Sequence, residues 1–432
     1  MKNHPILSFN TFVSFWCLIL LSSGSLLAAE IELLTPPDGS TFDPVSPVER
    51  EFLANSDARS VRPPKPESAV AEHLAKVAEY EAAVAQYQAE GKNIKELKKP
   101  KDRYNFYENN AWSAALMERY KIESQTYRPF SWKTDAPLSD AVVLFSETPD
   151  FKTSLRCYPS LDKRKRLECA IRPANLKLGV KYYWKVSGRD AEGEPICSDV
   201  WTFTTLDIPP RRLSSPAVSN FRDLGGGTNA DGKRVRQGLL FRSGATTPPK
   251  YCLVKKGTPE EEYLYFFREV VNLKTELDLR SEDEFQRRCR EWGEIGLDCV
   301  GVSRECYPLL GYHLYHPTNR PLYRAIFARL AEPDAYPLVF HCAAGADRTG
   351  TLGVLLDGII GRDDQTILDN YEMTSLSGHS RYRYSRKAAG MFETLEGVAP
   401  GEPMRVQVVR FLLDVGVPQS DIDAIREILV EE

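Results

Sequence analysis

No stretch beyond residue 29 is apolar enough to cross a bilayer, and basic residues hold no majority: 56 Lys and Arg stand against 60 Asp and Glu. The first absence excludes a multi-span membrane protein. The second, a net charge of −4, excludes the strongly cationic surface that nucleic-acid binding normally uses. Nor is the composition biased toward glycine, proline or polar repeats, so collagen-like and polar disordered chains are excluded as well. What is there, 432 residues at 42% hydrophobic and 10% aromatic, is a globular chain too long for one ordinary domain.

Residues 1–29 stand apart. Lys2 supplies a small positive start, TFVSFWCLILL (11–21) an apolar core, and SSGSLLAA (22–29) a run ending in small residues. The segment reads as a signal peptide cleaved near Ala28 or Ala29, because its apolar run is short of the roughly 20 residues of a membrane span. The mature protein is therefore expected to be exported, periplasmic or extracellular, with no membrane span. Eight of the nine cysteines then remain in a compartment that permits disulfides. Cys157 and Cys169 sit symmetrically about a charged turn, as two strands of a hairpin would place them. A disulfide there is one expectation, and two unbonded thiols in half-buried strands are the other.

Residues 30–208 read as a mostly β module. IELLTPPDGSTF (31–42), DAVVLFSE (140–147), RLECAIR (166–172), KYYWKVSGRD (181–190) and VWTFTTL (200–206) are short segments rich in β-branched and aromatic residues, separated by turn signals. At about 67–125 the texture changes to two helices. The first (67–90) carries Val70, Leu74, Val77, Val84 and Tyr87 near helical spacing, a stripe expected to pack on the sheets. DIPPRRLSSP (207–216) reads as a linker, and nothing before it carries a catalytic constellation. Residues 211–432 are accordingly expected to fold and act alone.

From 209 to 432 strands alternate with helices. GLLFRSG (238–244), VVNLKTELDLR (270–280) and YPLVFHC (336–342) are strands. Helices open at the capping boxes TPEE (258–261) and SEDE (281–284), and others span 320–332, 349–361, 364–376, 404–415 and 419–430. This alternation predicts an α/β domain with a mostly parallel central sheet, whose active site lies at the carboxyl ends of the strands. Cys342 occupies such an end.

The string His341-Cys342-Ala343-Ala344-Gly345-Ala346-Asp347-Arg348-Thr349-Gly350 follows it. A loop between a strand and a helix N-terminus turns backbone N–H groups inward, so Ala343, Ala344, Gly345 and Ala346 are candidates to cradle a phosphoryl group. Gly345 allows the backbone conformation that such a cradle needs. Arg348 can bind two phosphoryl oxygens at once. The same positive field favours a Cys342 thiolate, a ready nucleophile, which the Thr349 hydroxyl can steady. His341 is read as orienting the loop. Two histidines three apart, His313 and His316, are read as ordinary residues and not as metal ligands.

The loop resembles that of the cysteine-dependent phosphatases of the protein tyrosine phosphatase superfamily, and within it the bacterial branch reading His-Cys-x-x-Gly-Lys-Asp-Arg-Thr-Gly. SNFRDLGG (219–226), GLLFRSG and LDLRSEDE (277–284) are similar to that branch's further landmarks. The resemblance covers about residues 215–432. It implies hydrolysis of phosphotyrosine, often with dual specificity or phosphoinositide activity, through a phosphocysteine and without metal or other cofactor. An inositol phosphate or phosphoinositide phosphatase is the alternative. An inactive module that holds phosphorylated ligands is a second, disfavoured because Cys342, Asp347 and Arg348 are all present. Ala346 stands where the branch has lysine, which puts a preference for polyanionic inositol lipids in doubt; HSRYRYSRK (379–387) reads first as a solvated loop or helix face, with restored basic charge near the site as the alternative. Asp223, Arg242 and Arg280 belong to motifs expected to buttress the site.

Tyrosine phosphatases commonly place a general acid, an aspartate, about 30 residues before the cysteine. PLLGYHLYHPTN, around residue 312, has no carboxylate. Asp347 and Asp278 remain as candidates, with Asp347 favoured. The N-terminal segments 30–50 and 126–208 are similar in pattern to a fibronectin type III sandwich with a helical hairpin inserted, which would leave that module to meet a protein or surface partner.

Overall fold

A computed structural model describes residues 30–60, 67–94, 97–98, 111–159, 167–215, 218–246, 266–292, 297, 301–379 and 381–432. The expected signal segment (1–29) and the expected helix at TPEE lie outside these residues. Among them no helix is long and apolar enough to cross a membrane.

The N-terminal module holds β1 (Ile31–Thr35), β2 (Ser40–Phe42), α1 (Pro47–Ala54), α2 (Ser56–Ser60), α3 (Glu67–Ala89), α4 (Ala111–Thr126), β3 (Phe130–Thr134), β4 (Ser139–Ser146), β5 (Leu155–Cys157), β6 (Glu168–Ile171), β7 (Lys181–Arg189), β8 (Pro195–Cys197) and β9 (Trp201–Thr205). One sheet runs β1-β3-β6 and the other β2-β9-β7-β4-β5, with β8 on β7. In β7, KYYWKVSGR, buried and outer residues alternate along the strand, the period-two pattern of a half-buried sheet. Phe130, Trp132, Phe145, Trp184 and Phe203 from both sheets share one core.

Two expectations fail here. Cys157 and Cys169 are not partners in a hairpin: β5 belongs to one sheet and β6 to the other, and no disulfide joins them. Burial pushes the Cys157 thiol up to about 11, which keeps it protonated. The stripe on α3 is not covered by the sheets either, since Leu74 is 59% exposed and Val70 39%. The packed helix is α4, whose Leu116 meets Val48 and Phe52 of α1.

Helix α1 starts at a capping box: the Ser46 side chain accepts from the Glu49 N–H, and Glu49 accepts from the Ser46 N–H. Glu49 is also buried against Arg172 (2.9 Å) and Arg212, so one carboxylate both caps a helix and joins the module to the next domain.

The C-terminal domain carries β10 (Arg211–Arg212), β11 (Arg222–Asp223), β12 (Leu240–Ser243), β13 (Thr275–Asp278), α5 (Glu282–Trp292), β14 (Ser303–Cys306), α6 (Asn319–Leu330), β15 (Leu338–His341), α7 (Arg348–Ile360), α8 (Asp364–Glu372), α9 (Arg386–Val398), α10 (Met404–Asp414) and α11 (Gln419–Leu429). The sheet order is β10-β11-β12-β15-β13-β14. It is mixed: β12, β15, β13 and β14 are mutually parallel, and β10 and β11 add an antiparallel edge. Leu338 and Phe340 of β15 enter the core beneath α7, while Val339 faces a second cluster with Phe221, Phe241 and Phe266. Both faces of the strand are therefore buried, which is why its sequence is apolar without alternation.

The segment read as a linker is built into the seam. β10 pairs with β11, Arg211 is bonded to Asp223 (2.6 Å) and to the carbonyls of Leu176 and Asn175, and Arg50 donates to the Pro209 carbonyl (2.9 Å). A shared apolar cluster joins Val48, Phe52 and Leu116 to Met373, Leu376 and Tyr382. Residues 211–432 alone would lose this cover, which weighs against their expected independence. At about 1.5–3 kcal/mol per buried apolar side chain, uncovering Met373 and Leu376 removes a large part of the roughly 5–15 kcal/mol that holds a domain folded. The fragment 211–432 is expected to melt well below the full chain, or not to fold. A fragment with the melting temperature of the full chain would contradict this.

Candidate active site

The carboxyl ends of β12, β15 and β13 lie side by side, with Ser243, His341 and Asp278 in one register row. Cys342 comes next, 3% exposed, and the loop through Asp347 leads into α7. Four successive loop carbonyls are held from outside. The Cys342 oxygen meets His341 Nδ1 (3.2 Å), and Ala343 O accepts from the Ala245 N–H (3.1 Å). The oxygens of Ala344 and Gly345 accept from Asn220 Nδ2 (3.4 and 2.9 Å), and Gly345 O also accepts from Arg242 Nη2 (3.3 Å). In a trans peptide the N–H points opposite to the carbonyl. Tying these carbonyls outward therefore turns the N–H groups of Ala343, Ala344, Gly345 and Ala346 to the inner side, making an anion-binding nest.

Gly345 has φ 65°, and a Cβ there would lie 2.5 Å from Ser243 O, so no other residue fits without displacing β12. At Gly353 of α7 an added Cβ would meet Arg242 Nη1 at 2.5 Å, so the buried guanidinium would have to shift. Arg242 is fully buried beneath the loop, and its Nε and Nη1 have no hydrogen-bond partner among the described residues. Burial lowers its pKa to about 10, against the opposing pull of Asp357 and Cys342, so it stays a cation at neutral pH.

The Cys342 thiol is shifted below the usual cysteine range. Burial works against this but is outweighed by the Thr349 side chain and N–H, the Arg348 charge and the Ala344 N–H. The Thr349 hydroxyl is buried and has no other partner among the described residues, which leaves it for the sulfur. Arg348 presents its fork to Glu284 of α5 (2.8 and 3.1 Å). His341 is buried, with Nε2 on Glu276 (2.7 Å). Its pKa is raised: burial pulls it down, but Asp278 and Glu276 pull it up more strongly.

The two candidate acids differ sharply. Asp278 is fully buried, held by Arg280 (2.9 Å to each oxygen) and Arg304 (3.0 Å). Burial raises its pKa, yet His341 and Arg280 hold it far below the ordinary range, so it is a braced anion with no proton to give. Asp347 has a side chain 42% exposed and accepts from Arg381 Nε (2.6 Å) and the Tyr312 hydroxyl (2.8 Å). Burial is offset by Arg381, Tyr312 and Lys387, and its pKa is lowered as well.

Asp223 is not brought to the loop. It pairs with Arg211 and accepts from the N–H groups of Gly225 (2.8 Å) and Gly238 (2.7 Å), bracing the sheet edge. The residue of that motif at the loop is Asn220, whose amide is oriented by Arg222 donating to its oxygen. Sequence reading also passed over Tyr312, Glu284 and Arg381, of which only Arg381 lay in a stretch marked for its charge. Ala346, in the position of the branch lysine, is buried.

The chain belongs to the tyrosine phosphatase family, whose model matches residues 213–431. It is 29% identical over 174 residues to a Cupriavidus necator protein called "Putative tyrosine-protein phosphatase H16_A0669", covering 37% of this chain and 61% of that one. The chain thus spans under two thirds of that relative. Among solved structures it is similar to the core catalytic domain of the PP-IP phosphatase SIW14 from S. cerevisiae, at 18% identity and a TM-score of 0.25, over 37% of this chain and 83% of that one.

Proposed function

We propose that this protein hydrolyses phosphate monoesters through a phosphocysteine on Cys342, with phosphotyrosine in proteins as its main substrate. The carrying observation is the loop itself: a buried thiol of lowered pKa facing four inward N–H groups, with Arg348 at the helix start. The thiolate attacks phosphorus as the ester P–O bond breaks, and Asp347 protonates the departing oxygen. Water then attacks the phosphocysteine, giving its proton to Asp347 and releasing Cys342 and phosphate. Arg348 binds two phosphoryl oxygens while the N–H groups take the rest, so charge is stabilised without metal or cofactor.

Ala346 removes the lysine that would favour polyanionic substrates, which supports phosphotyrosine. The second reading, an inositol phosphate or phosphoinositide substrate, draws support from Arg381 and Lys387 beside Asp347. Full-length enzyme assayed on phosphotyrosine peptides and on inositol phosphates separates the two. Higher kcat/KM on the peptides is expected. The reverse order transfers the assignment to inositol phosphates, and no turnover of either class or of para-nitrophenyl phosphate leaves a binding module.

Export follows from the character of residues 1–29. The N-terminal module is proposed as a fibronectin type III-like unit on the strength of its alternating strands and two-sheet core.

A further inference from the structure

We infer that the N-terminal module positions the catalytic acid, through Arg59 and the segment that carries Arg381. Arg59, in α2, is fully buried. Its guanidinium donates to Glu372 and Asp369 of α8 and to the Leu53 carbonyl (3.0 Å), and it lies over the Phe52 ring (4.8 Å). Glu372, also fully buried, accepts in turn from the Arg383 backbone N–H, Nε and Nη2, each at 2.9 Å. Arg383 Nη2 reaches back to Ser56 Oγ in α2 (3.2 Å). Tyr382 is buried in the cluster with Phe52 and Leu116.

Residues 382 and 383 are therefore fixed by the module, immediately after Arg381. Arg381 itself is tied through its N–H to Ser375 Oγ (2.8 Å), and its Nε meets Asp347 at 2.6 Å. The path runs from α2 through a buried carboxylate and one strip of backbone to the carboxylate at the loop. Its first link, from Arg59 to Glu372, joins residues 313 positions apart.

The groups facing Asp347 are Arg381, Lys387 and His379 from the 379–387 stretch, Tyr312 with Tyr371 behind it (3.0 Å), and neighbouring Arg348. Of these, Arg381 makes the strongest link, through both a hydrogen bond and its charge. Loosening it frees the carboxylate to turn away from the leaving oxygen. It also lets the proton be held to higher pH, because burial then acts with less opposition.

The inference rests on Asp347 being the general acid, and the experiment keeps the two apart. Full-length Arg59→Ala, Arg59→Lys, Arg381→Ala and Asp347→Asn are compared for kcat and KM on phenyl phosphate, a poor leaving group, and para-nitrophenyl phosphate, an activated one, across pH. Arg59→Ala and Arg381→Ala are both expected to lower kcat on phenyl phosphate about 10-fold or more, with a much smaller loss on the activated ester and little change in KM. In both, the basic limb of the profile should move to higher pH. If Arg59→Ala does not fold, Arg59→Lys carries the test: it keeps the charge but cannot span both carboxylates, and the same selective loss and limb shift, smaller in size, are expected. Equal losses on both esters with an unmoved limb, or a shift in Arg381→Ala without one in either Arg59 variant, overturn the inference. An Asp347→Asn variant with no leaving-group selectivity overturns the acid assignment beneath it.

Discussion

Replacing Cys342 by serine is expected to lower kcat by about 10⁴-fold or more while inorganic phosphate still binds. The two halves of this result have separate causes. Turnover depends on a sulfur nucleophile that is anionic near neutral pH, and the groups that lower its pKa, Thr349, Arg348 and the Ala344 N–H, cannot ionise an alcohol to a useful extent. Binding depends on N–H groups whose direction is set by Asn220, Ala245, His341 and Arg242 from outside the loop, none of which the substitution touches. The pH profile follows from the same shifts. Activity rises with pH as Cys342 loses its proton and falls as Asp347 loses its own. Both pKa values lie below their ordinary ranges, so the optimum is expected on the acid side of neutrality. A serine variant retaining near wild-type turnover would end the nucleophile assignment.

Asp347→Asn is expected to show the second-largest effect, a loss of about 10²–10⁴-fold on poor leaving groups with little change on activated ones. An asparagine keeps the shape and can still accept from Tyr312 and Arg381, but it has no proton to deliver. Asp278→Asn should behave differently. It strips a buried anion from between Arg280 and Arg304, so it should cost stability and lower turnover of both substrate classes alike. Selectivity in Asp278→Asn and none in Asp347→Asn would reverse the assignment.

The loop was legible because its chemistry is compressed into ten consecutive residues between an apolar strand and a helix, where local pattern and function coincide. The alternation of strands and helices made the sheet legible for the same reason. Roles within the second motif were less so: Asn220 and Asp223 are three apart, yet one faces the loop and the other the sheet edge, a difference set by pairing and not by residue type. The seam was invisible. Arg59 and Glu372, or Arg212 and Glu49, carry no shared periodicity, and a Pro-rich stretch that reads as a linker is here pinned by Arg50 at Pro209 and by its own Arg212 at Glu49. Cys157 and Cys169 misled for a related reason, since symmetric spacing about a turn cannot tell one sheet from two facing sheets.

The central claim is that phosphate passes through the sulfur of Cys342, and acid quench during turnover tests it most directly. Full-length enzyme is mixed with saturating para-nitrophenyl phosphate, quenched within one turnover, digested and weighed by mass spectrometry. The account expects phosphate on the peptide holding Cys342, discharged on a longer chase, and none in Cys342→Ser. Turnover by an enzyme whose Cys342 stays unmodified at every quench time would contradict it.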